Sequence, residues 1–183
     1  MSLTLPEGYS VRAATPVDAP IIAVQRGQMF VEMGGMTPQE AGAQRGLWTD
    51  WLAQALAAGD YAGFVIENAG EIVGGVGMMF LPKIPTSKDP ALHKAHILNM
   101  SVSPQHRRRG LAGALMRSAL QEARQRGLRS VSLNAAPMGK GLYERLGFVE
   151  STSPEMRLML EGGAWPLSPF ARFPALTCVI STM

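Results

Sequence analysis

The sequence has little cysteine and no long apolar run. Cys178 is the one cysteine among 183 residues, so an internal disulfide is excluded and the chain does not resemble a small secreted domain held together by disulfides. The longest apolar stretch, 72–81, contains three glycines and is shorter than the roughly 20 residues a membrane helix needs. The first ten residues lack the basic and apolar segments of a signal peptide. These absences predict a cytoplasmic protein without a membrane partner.

Charge is scarce as well, at 17% of residues, and its distribution is uneven. The net charge is +3, but residues 105–130 contain seven arginines and one acid, Glu122. The same segment has no aromatic residue, whereas proteins that bind single-stranded nucleic acids usually stack bases on aromatic side chains. This pattern favours an anion bound at one place over a surface that binds nucleic acid.

Hydrophobic periodicity and turn residues predict alternating strands and helices. We expect strands near 9–12, 61–67, 71–80, 95–103, 130–134 and 156–160, with a further extended piece at 147–149. Helices are expected at 16–33, 38–58, 109–126 and 139–146. Within the second helix, Trp48 and Trp51 share a face and are predicted to be core residues. A hairpin at 68–70 and interspersed helices indicate an α/β (α+β) domain with a mixed sheet, and not a doubly wound fold.

The segment 102–113, VSPQHRRRGLAG, joins a predicted strand to the most regular predicted helix. Gly110, Ala112 and Gly113 keep large side chains away from the first helical turn, so its backbone N–H groups can face an anion. Arginines 107–109 add positive charge, and the combination suits a pyrophosphate. The spacing matches neither a GxxxxGK[ST] loop nor GxGxxG. A solvated basic turn with glycines needed for packing is the structural alternative.

Two motifs in this chain resemble those of the GNAT superfamily of N-acetyltransferases. Val102, Pro104, Arg107, Gly110 and Ala112 match the V-x-P-x-x-R-x-x-G-x-A acyl-CoA motif, and residues 141–148, GLYERLGF, match the LYexLGF signature. The resemblance covers about residues 9–160. It implies a single domain over 1–160 with a mostly antiparallel mixed sheet, flanking helices and strands that splay at a cofactor groove. The apolar extension 161–183 would pack on this domain or on a second subunit, as in a homodimer.

The resemblance also implies which residues bind acetyl-CoA. The backbone of Met100, Ser101 and Val102 would bind the pantetheine and the acetyl carbonyl, while Arg107 would support the turn or a phosphate. Asn134 and Lys140 would line the far wall of the groove. The residues whose backbone amides would hold the pyrophosphate are consecutive: Arg108, Arg109, Gly110, Leu111, Ala112 and Gly113.

Catalytic roles follow from the same resemblance, with the identity of the base left open. Tyr143 matches the tyrosine that protonates the departing thiolate, and a phenol with a pKa near 10 suits that role; its alternative is a core tyrosine. His96 is a candidate general base, or else a structural histidine. Asn99 would orient the substrate or a water, and Glu32 would face the amine or lie at a solvated helix end. No metal is expected, since the histidines lack companions at ligand spacing.

Three functions compete on this basis. The first is transfer of an acetyl group from acetyl-CoA to a primary amine by direct attack in a ternary complex, with a small molecule or a peptide as acceptor. The second is a non-catalytic acyl-CoA sensor, which would tolerate loss of Tyr143. The third is nucleic-acid binding through the arginines, which the missing aromatics disfavour.

Overall fold

A computed structural model of the protein describes residues 5–153, 155, 156 and 158. The extension 161–183 and most of the predicted strand 156–160 lie outside the described residues. The chain divides into two units, 1–148 and 149–183. In the second, the Ser151 hydroxyl donates to the Ser153 carbonyl and accepts from its N–H. Every helix and strand named below belongs to the first unit.

The described part of the chain forms a five-stranded sheet flanked by helices. The strands are β1 (Tyr9–Ala13), β2 (Tyr61–Asn68), β3 (Glu71–Pro82), β4 (His93–Val102) and β5 (Val131–Leu133), and they lie side by side in chain order. Neighbouring pairs are antiparallel except β4 and β5, which are parallel. The helices are α1 (Ala19–Glu32), α2 (Pro38–Ala58), α3 (Leu111–Gln125) and α4 (Lys140–Arg145). The predicted mixed, mostly antiparallel fold is confirmed.

Helix boundaries follow their local chemistry. At the start of α2, Thr37 accepts a hydrogen bond from the Glu40 N–H while the Glu40 carboxylate accepts from the Thr37 N–H, which is a capping box. Gly59 ends this helix in the left-handed conformation, at φ +81°. The prediction that α3 begins at residue 109 was wrong by one turn or less. Gly110, at φ +79°, is the N-cap, and this left-handed conformation lies outside the helix, which begins at Leu111.

The core has two layers, one on each face of the sheet. On one face α3 buries Leu111, Leu115 and Ala119 against β3 and β4. On the other face α1 and α2 pack Ile22 and Leu52 against Tyr61 of β2. Because parallel strands need a crossover connection, α3 links β4 to β5 across the first face. The crossover helix α3 and the pair α1 and α2 therefore lie on opposite faces of the sheet.

Two local predictions need correction. Trp51 was predicted to be a core residue, but 45% of it is exposed, since it lies at the open edge of the α2 packing and touches Tyr61 only edge to face. Residues 147–149 were predicted to be extended, but no strand forms there, because Gly147 at φ +91° turns the chain after α4.

Candidate active site

The C-terminal end of β4 is paired with a neighbouring strand on one side only. β4 pairs with β5 through Ala95, His96 and Ile97 only, whereas its pairing with β3 continues to Val102. Among the described strands, none pairs with the β5-side edge of β4 from residue 98 onward. Such an edge presents unpaired backbone donors and acceptors, which an extended ligand can use as a strand would.

A β-bulge lies at the start of this unpaired edge. The register with β3 shifts so that Asn99 and Met100 together oppose Val76, and Asn99 has φ +57°. A bulge changes the direction of the following side chains. Here Asn99 points to the α1–α2 face, where its Oδ1 accepts from Arg26 of α1 and its Nδ2 donates to the Tyr61 hydroxyl at 3.2 Å. Asn99 is only 5% exposed, so both of these bonds hold the bulge in place.

The opposite end of the edge runs into the first turn of α3. Gly110 makes no side-chain cap, and the first intrahelical bond there runs from the Ala114 N–H to the Gly110 carbonyl. The N–H groups of Leu111, Ala112 and Gly113 therefore have no capping acceptor among the described residues. Open backbone donors at the positive end of a helix favour an anion.

Arg107 ties this loop to two other elements. Its Nε donates to the Val102 carbonyl at 2.8 Å, and Nη1 and Nη2 donate to the two Glu32 carboxylate oxygens at 2.6 and 2.8 Å. These bonds lower the pKa of Glu32 and raise that of Arg107. The predicted substrate residue Glu32 therefore lies at the end of α1 in an ion pair. Of the two roles expected for Arg107, this geometry favours support of the turn.

Three other arginines surround the α3 start without an ion pair among the described residues. Arg108, at φ +62°, and Arg109 precede the helix and are exposed. Arg117 folds back along α3, so that a Cβ placed on Gly113 would lie 3.3 Å from its Nη1. These three guanidinium groups therefore add positive charge near the open N–H groups, and none of them has a carboxylate partner among the described residues.

Tyr143 lies on α4, partly buried against the α3-side core. Its ring meets Phe148 edge to face at a centroid distance of 6.0 Å, and burial raises the pKa of its hydroxyl. No hydrogen bond of this hydroxyl to another described residue occurs. Asn134 is exposed just after β5, and Lys140 begins α4 with its Nζ 3.9 Å from Glu144.

His96 lies where β4 and β5 still pair. Its Nδ1 is 3.0 Å from the hydroxyl of its register partner Ser132. The Ser132 hydroxyl also donates to the Ala95 carbonyl at 3.4 Å. In a neutral imidazole one ring nitrogen carries the proton and the other carries the basic lone pair.

An apolar cavity of about 310 Å³ lies on the α1–α2 face beside the bulge. Its walls come from α1, α2, β3 and β4: Arg26, Leu47, Trp48, Trp51, Leu52, Met79, Leu98 and Asn99. Of the predicted site residues, only Asn99 lines it. His96 lies next to the cavity wall without lining it. Its register partner on β3, Met79, and Leu98, two residues further along β4, both belong to the wall.

Sequence reasoning missed Arg26 and the two tryptophans as site residues. The available signal was that Arg26 is the one cationic residue of α1. Among the described residues no cluster of three or more potential ligands for a metal occurs. No helix in the described ranges is long and apolar enough to cross a membrane.

Comparison with known proteins supplies the family. The model of the acetyltransferase (GNAT) family matches residues 29–148. A GCN5-related N-acetyltransferase from Ralstonia eutropha JMP134 superposes with a TM-score of 0.74 at 33% identity, covering 82% of this chain and 99% of that one. A predicted acetyltransferase from Clostridium acetobutylicum, solved with acetyl-CoA, shares the fold with a TM-score of 0.74 at 21% identity, over 81% and 96% of the two chains.

Sequence relatives point the same way over a shorter range. N-acetyltransferase 8 of Rattus norvegicus is 34% identical over 99 residues, which are 52% of this chain and 43% of that protein. The match therefore spans less than half of that relative's length. These similarities agree with the unpaired edge of β4 and the open start of α3, and the chain belongs to the acetyltransferase (GNAT) family.

Proposed function

We propose that this protein transfers an acetyl group from acetyl-CoA to an amine by direct attack in a ternary complex. The observation that carries the proposal is the unpaired edge of β4. It connects a cationic loop that suits a diphosphate with a cavity that suits an acceptor. Support comes from family membership, which indicates the same reaction type.

The residues present fit coenzyme A at the diphosphate. Three open N–H groups at Leu111, Ala112 and Gly113 face a turn rich in arginine. Among the described residues no carboxylate pairs with Arg108 or Arg109. The backbone of Met100 and Ser101, on the part of β4 that has no strand on its β5 side, would bind the pantetheine arm. Asn134 and Lys140 would line the other side, beyond the end of β5.

Tyr143 is the proton donor in this proposal. Bound acetyl-CoA would supply a thioester carbonyl for attack by the amine, so that a C–N bond forms and the C–S bond breaks. The Tyr143 hydroxyl would give its proton to the leaving sulfur. Burial raises the pKa of that hydroxyl, so it stays protonated at neutral pH and its proton remains available.

The amine must lose a proton, and His96 is the proposed acceptor. Among the described wall residues Arg26 alone is charged, and a guanidinium cannot act as a base at neutral pH. A neutral imidazole carries a basic lone pair on one ring nitrogen, and His96 adjoins the wall through Leu98. A water in the cavity would carry the proton between the amine and the imidazole.

A binding experiment tests the diphosphate site. Calorimetry should show coenzyme A binding at least about 10-fold tighter than pantetheine, which lacks the diphosphate, because charge-assisted bonds are lost with it. The double variant Arg108→Gln/Arg109→Gln should reduce the difference in affinity between coenzyme A and pantetheine. The matched control, Arg124→Gln at the far end of α3, should leave this difference unchanged. Equal binding of both compounds by the unmodified protein would refute the site.

A turnover experiment tests the reaction. Release of coenzyme A thiol from acetyl-CoA is followed with a panel of amines, for the unmodified chain and for Tyr143→Phe. We expect kcat to fall about 100-fold in the variant, as for loss of a general acid, with the affinity for coenzyme A unchanged. Tight coenzyme A binding without turnover of any amine would favour the sensor function instead.

A further inference from the structure

We propose that the cavity beside β4 selects free α-amino acids with a large apolar side chain, and that Arg26 binds their carboxylate. As a statement about the acetyl acceptor, this inference rests on the proposed function. As a statement about binding, it rests on the cavity alone.

Arg26 is a partly buried cation without a carboxylate partner among the described residues. Its single hydrogen bond to a described group is the one from Nη1 to Asn99 Oδ1. Burial lowers its pKa, although a guanidinium stays charged at neutral pH. Since no fully buried side-chain nitrogen or oxygen in the described residues lacks a partner, the remaining N–H groups of Arg26 reach accessible space. The cavity that Arg26 lines is such a space.

Aromatic rings hold this guanidinium in a defined orientation. Its central carbon lies 4.7 Å from the Phe30 ring centroid and 5.4 Å from that of Trp48. Together with the Asn99 bond, these contacts immobilise Arg26 before a ligand arrives. A fixed planar fork with free N–H groups matches the two oxygens of a carboxylate.

Apart from Arg26 and Asn99, the residues that line the cavity are apolar. Trp51 and Leu47 are 45% and 67% exposed at its rim, while Leu52 and Met79 form its floor. Exposed aromatic and aliphatic surface next to a buried cation suits a ligand that is anionic at one end and apolar at the other. A polyamine fits poorly, because Arg26 would repel it.

The position of Arg26 also places the reacting nitrogen. Asn99, its hydrogen-bond partner, is the bulge residue that begins the unpaired edge of β4. In an α-amino acid the amine and the carboxylate are attached to the same carbon. A carboxylate bound to Arg26 therefore keeps the amine close to the unpaired edge of β4. The N-terminus of a peptide lacks a carboxylate on the same carbon and would not be held in this way.

Three ligands that share one phenyl ring test the inference by calorimetry on the full chain saturated with coenzyme A. L-Phenylalanine should bind at least about 10-fold more tightly than phenylalaninamide or 2-phenylethylamine, because only L-phenylalanine has a carboxylate that can pair with Arg26. L-Alanine should bind more weakly than L-phenylalanine, since it leaves the apolar wall in contact with water. Equal binding of acid and amide, or no binding of any of them, overturns the proposal.

Variants identify the residue responsible. Arg26→Gln should abolish the preference for the acid, and Arg45→Gln, an exposed arginine on α2, should preserve it. Since Arg26 packs on two rings, Trp51→Ala serves as a second variant. Trp51→Ala should weaken the binding of L-phenylalanine, but L-phenylalanine should still bind more tightly than phenylalaninamide. Retention of the acid preference in a folded Arg26→Gln protein overturns the assignment.

Binding and turnover separate the two proposals. If L-phenylalanine binds as expected but is not acetylated, the proposed reaction fails while the carboxylate site stands. If 2-phenylethylamine or phenylalaninamide is acetylated with a kcat/KM equal to that of L-phenylalanine, the reaction stands and the selectivity fails.

Discussion

Gly77→Ala should destabilise the protein strongly through a single clash. Gly77 lies on β3 opposite Leu98, and the ring of Tyr61 from β2 covers it. A Cβ at this position would lie 1.6 Å from the Tyr61 hydroxyl oxygen and 2.2 Å from Cζ. Both distances are far below any van der Waals contact, so the Tyr61 side chain must move.

The magnitude follows from where Tyr61 is held. It is 2% exposed and packs in the core between α1, α2 and the sheet, so its displacement amounts to overpacking, which costs about 1–3 kcal/mol. The move also breaks the 3.2 Å hydrogen bond from Asn99, which contributes about 0.5–1.5 kcal/mol. We therefore expect the free energy of unfolding to fall by about 2–4 kcal/mol.

Urea denaturation followed by circular dichroism measures the change. Gly46→Ala is the matched control, because Gly46 lies within α2 and an added Cβ would meet no atom within 4 Å. Removing a glycine from a helix interior should stabilise the control by about 0.5–1 kcal/mol. The same chemical change thus has opposite signs at the two positions. A neutral or stabilising Gly77→Ala would refute the described packing of Tyr61 on β3.

Three further predictions concern other contacts. Hydrogen bonds from Arg12 hold the pKa of Asp18 at about 2, so the stabilisation is complete above the ordinary carboxyl pKa and is lost as pH falls toward 2. Asp18→Asn should remove about 2 kcal/mol at neutral pH and flatten the acid side of the urea-midpoint curve; an unchanged curve contradicts this. Glu32→Gln should change the free energy of unfolding by less than about 1 kcal/mol, since the Glu32–Arg107 pair is solvated. Calorimetry should nevertheless show weaker coenzyme A binding, because Arg107 loses the partner that holds it on the loop; unaltered binding would show that this ion pair does not contribute to the diphosphate site. Gly139→Ala would bring a Cβ to 2.9 Å from Tyr143 Cε2, so kcat should drop while coenzyme A affinity stays; full activity would argue against Tyr143 as the acid.

Local chemistry made much of the fold predictable. The Thr37 capping box, the glycine stop at residue 59 and the hairpin at 68–70 are each encoded within four residues. The turn of that hairpin has positive φ at both Ala69 and Gly70, as tight hairpins require. The cationic start of α3 was also predictable, because its arginines and small residues are consecutive in sequence.

Apart from Asn99, the residues of the acceptor side were not predicted, because they are far apart in the chain. Arg26 meets Asn99 across 73 positions, and no periodicity links an arginine on one helix to an asparagine on a strand. The bulge has no sequence signature either: Asn99 interrupts an apolar strand, which also occurs for a buried, hydrogen-bonded asparagine. Trp51 was assigned to the core because helical periodicity gives a face and not the extent of the surface that covers it.

The bulge and the helix start belong to one strand, and this connection is what makes the site a unit. Asn99 begins the unpaired edge of β4, and Val102 ends it under the Arg107 guanidinium. At one end a side chain turns toward the cavity, and at the other the backbone enters a turn with open N–H groups. Since a strand rises about 3.3 Å per residue, the two ends are separated by only about 10 Å, so one bound ligand would reach both ends and each end would serve a different part of it. Asn99→Ala, which removes the bonds to Arg26 and Tyr61, should therefore impair discrimination between L-phenylalanine and phenylalaninamide and also reduce kcat. Glu32→Gln should alter coenzyme A binding alone, and loss of amino-acid discrimination in that variant would contradict the division of labour along the strand.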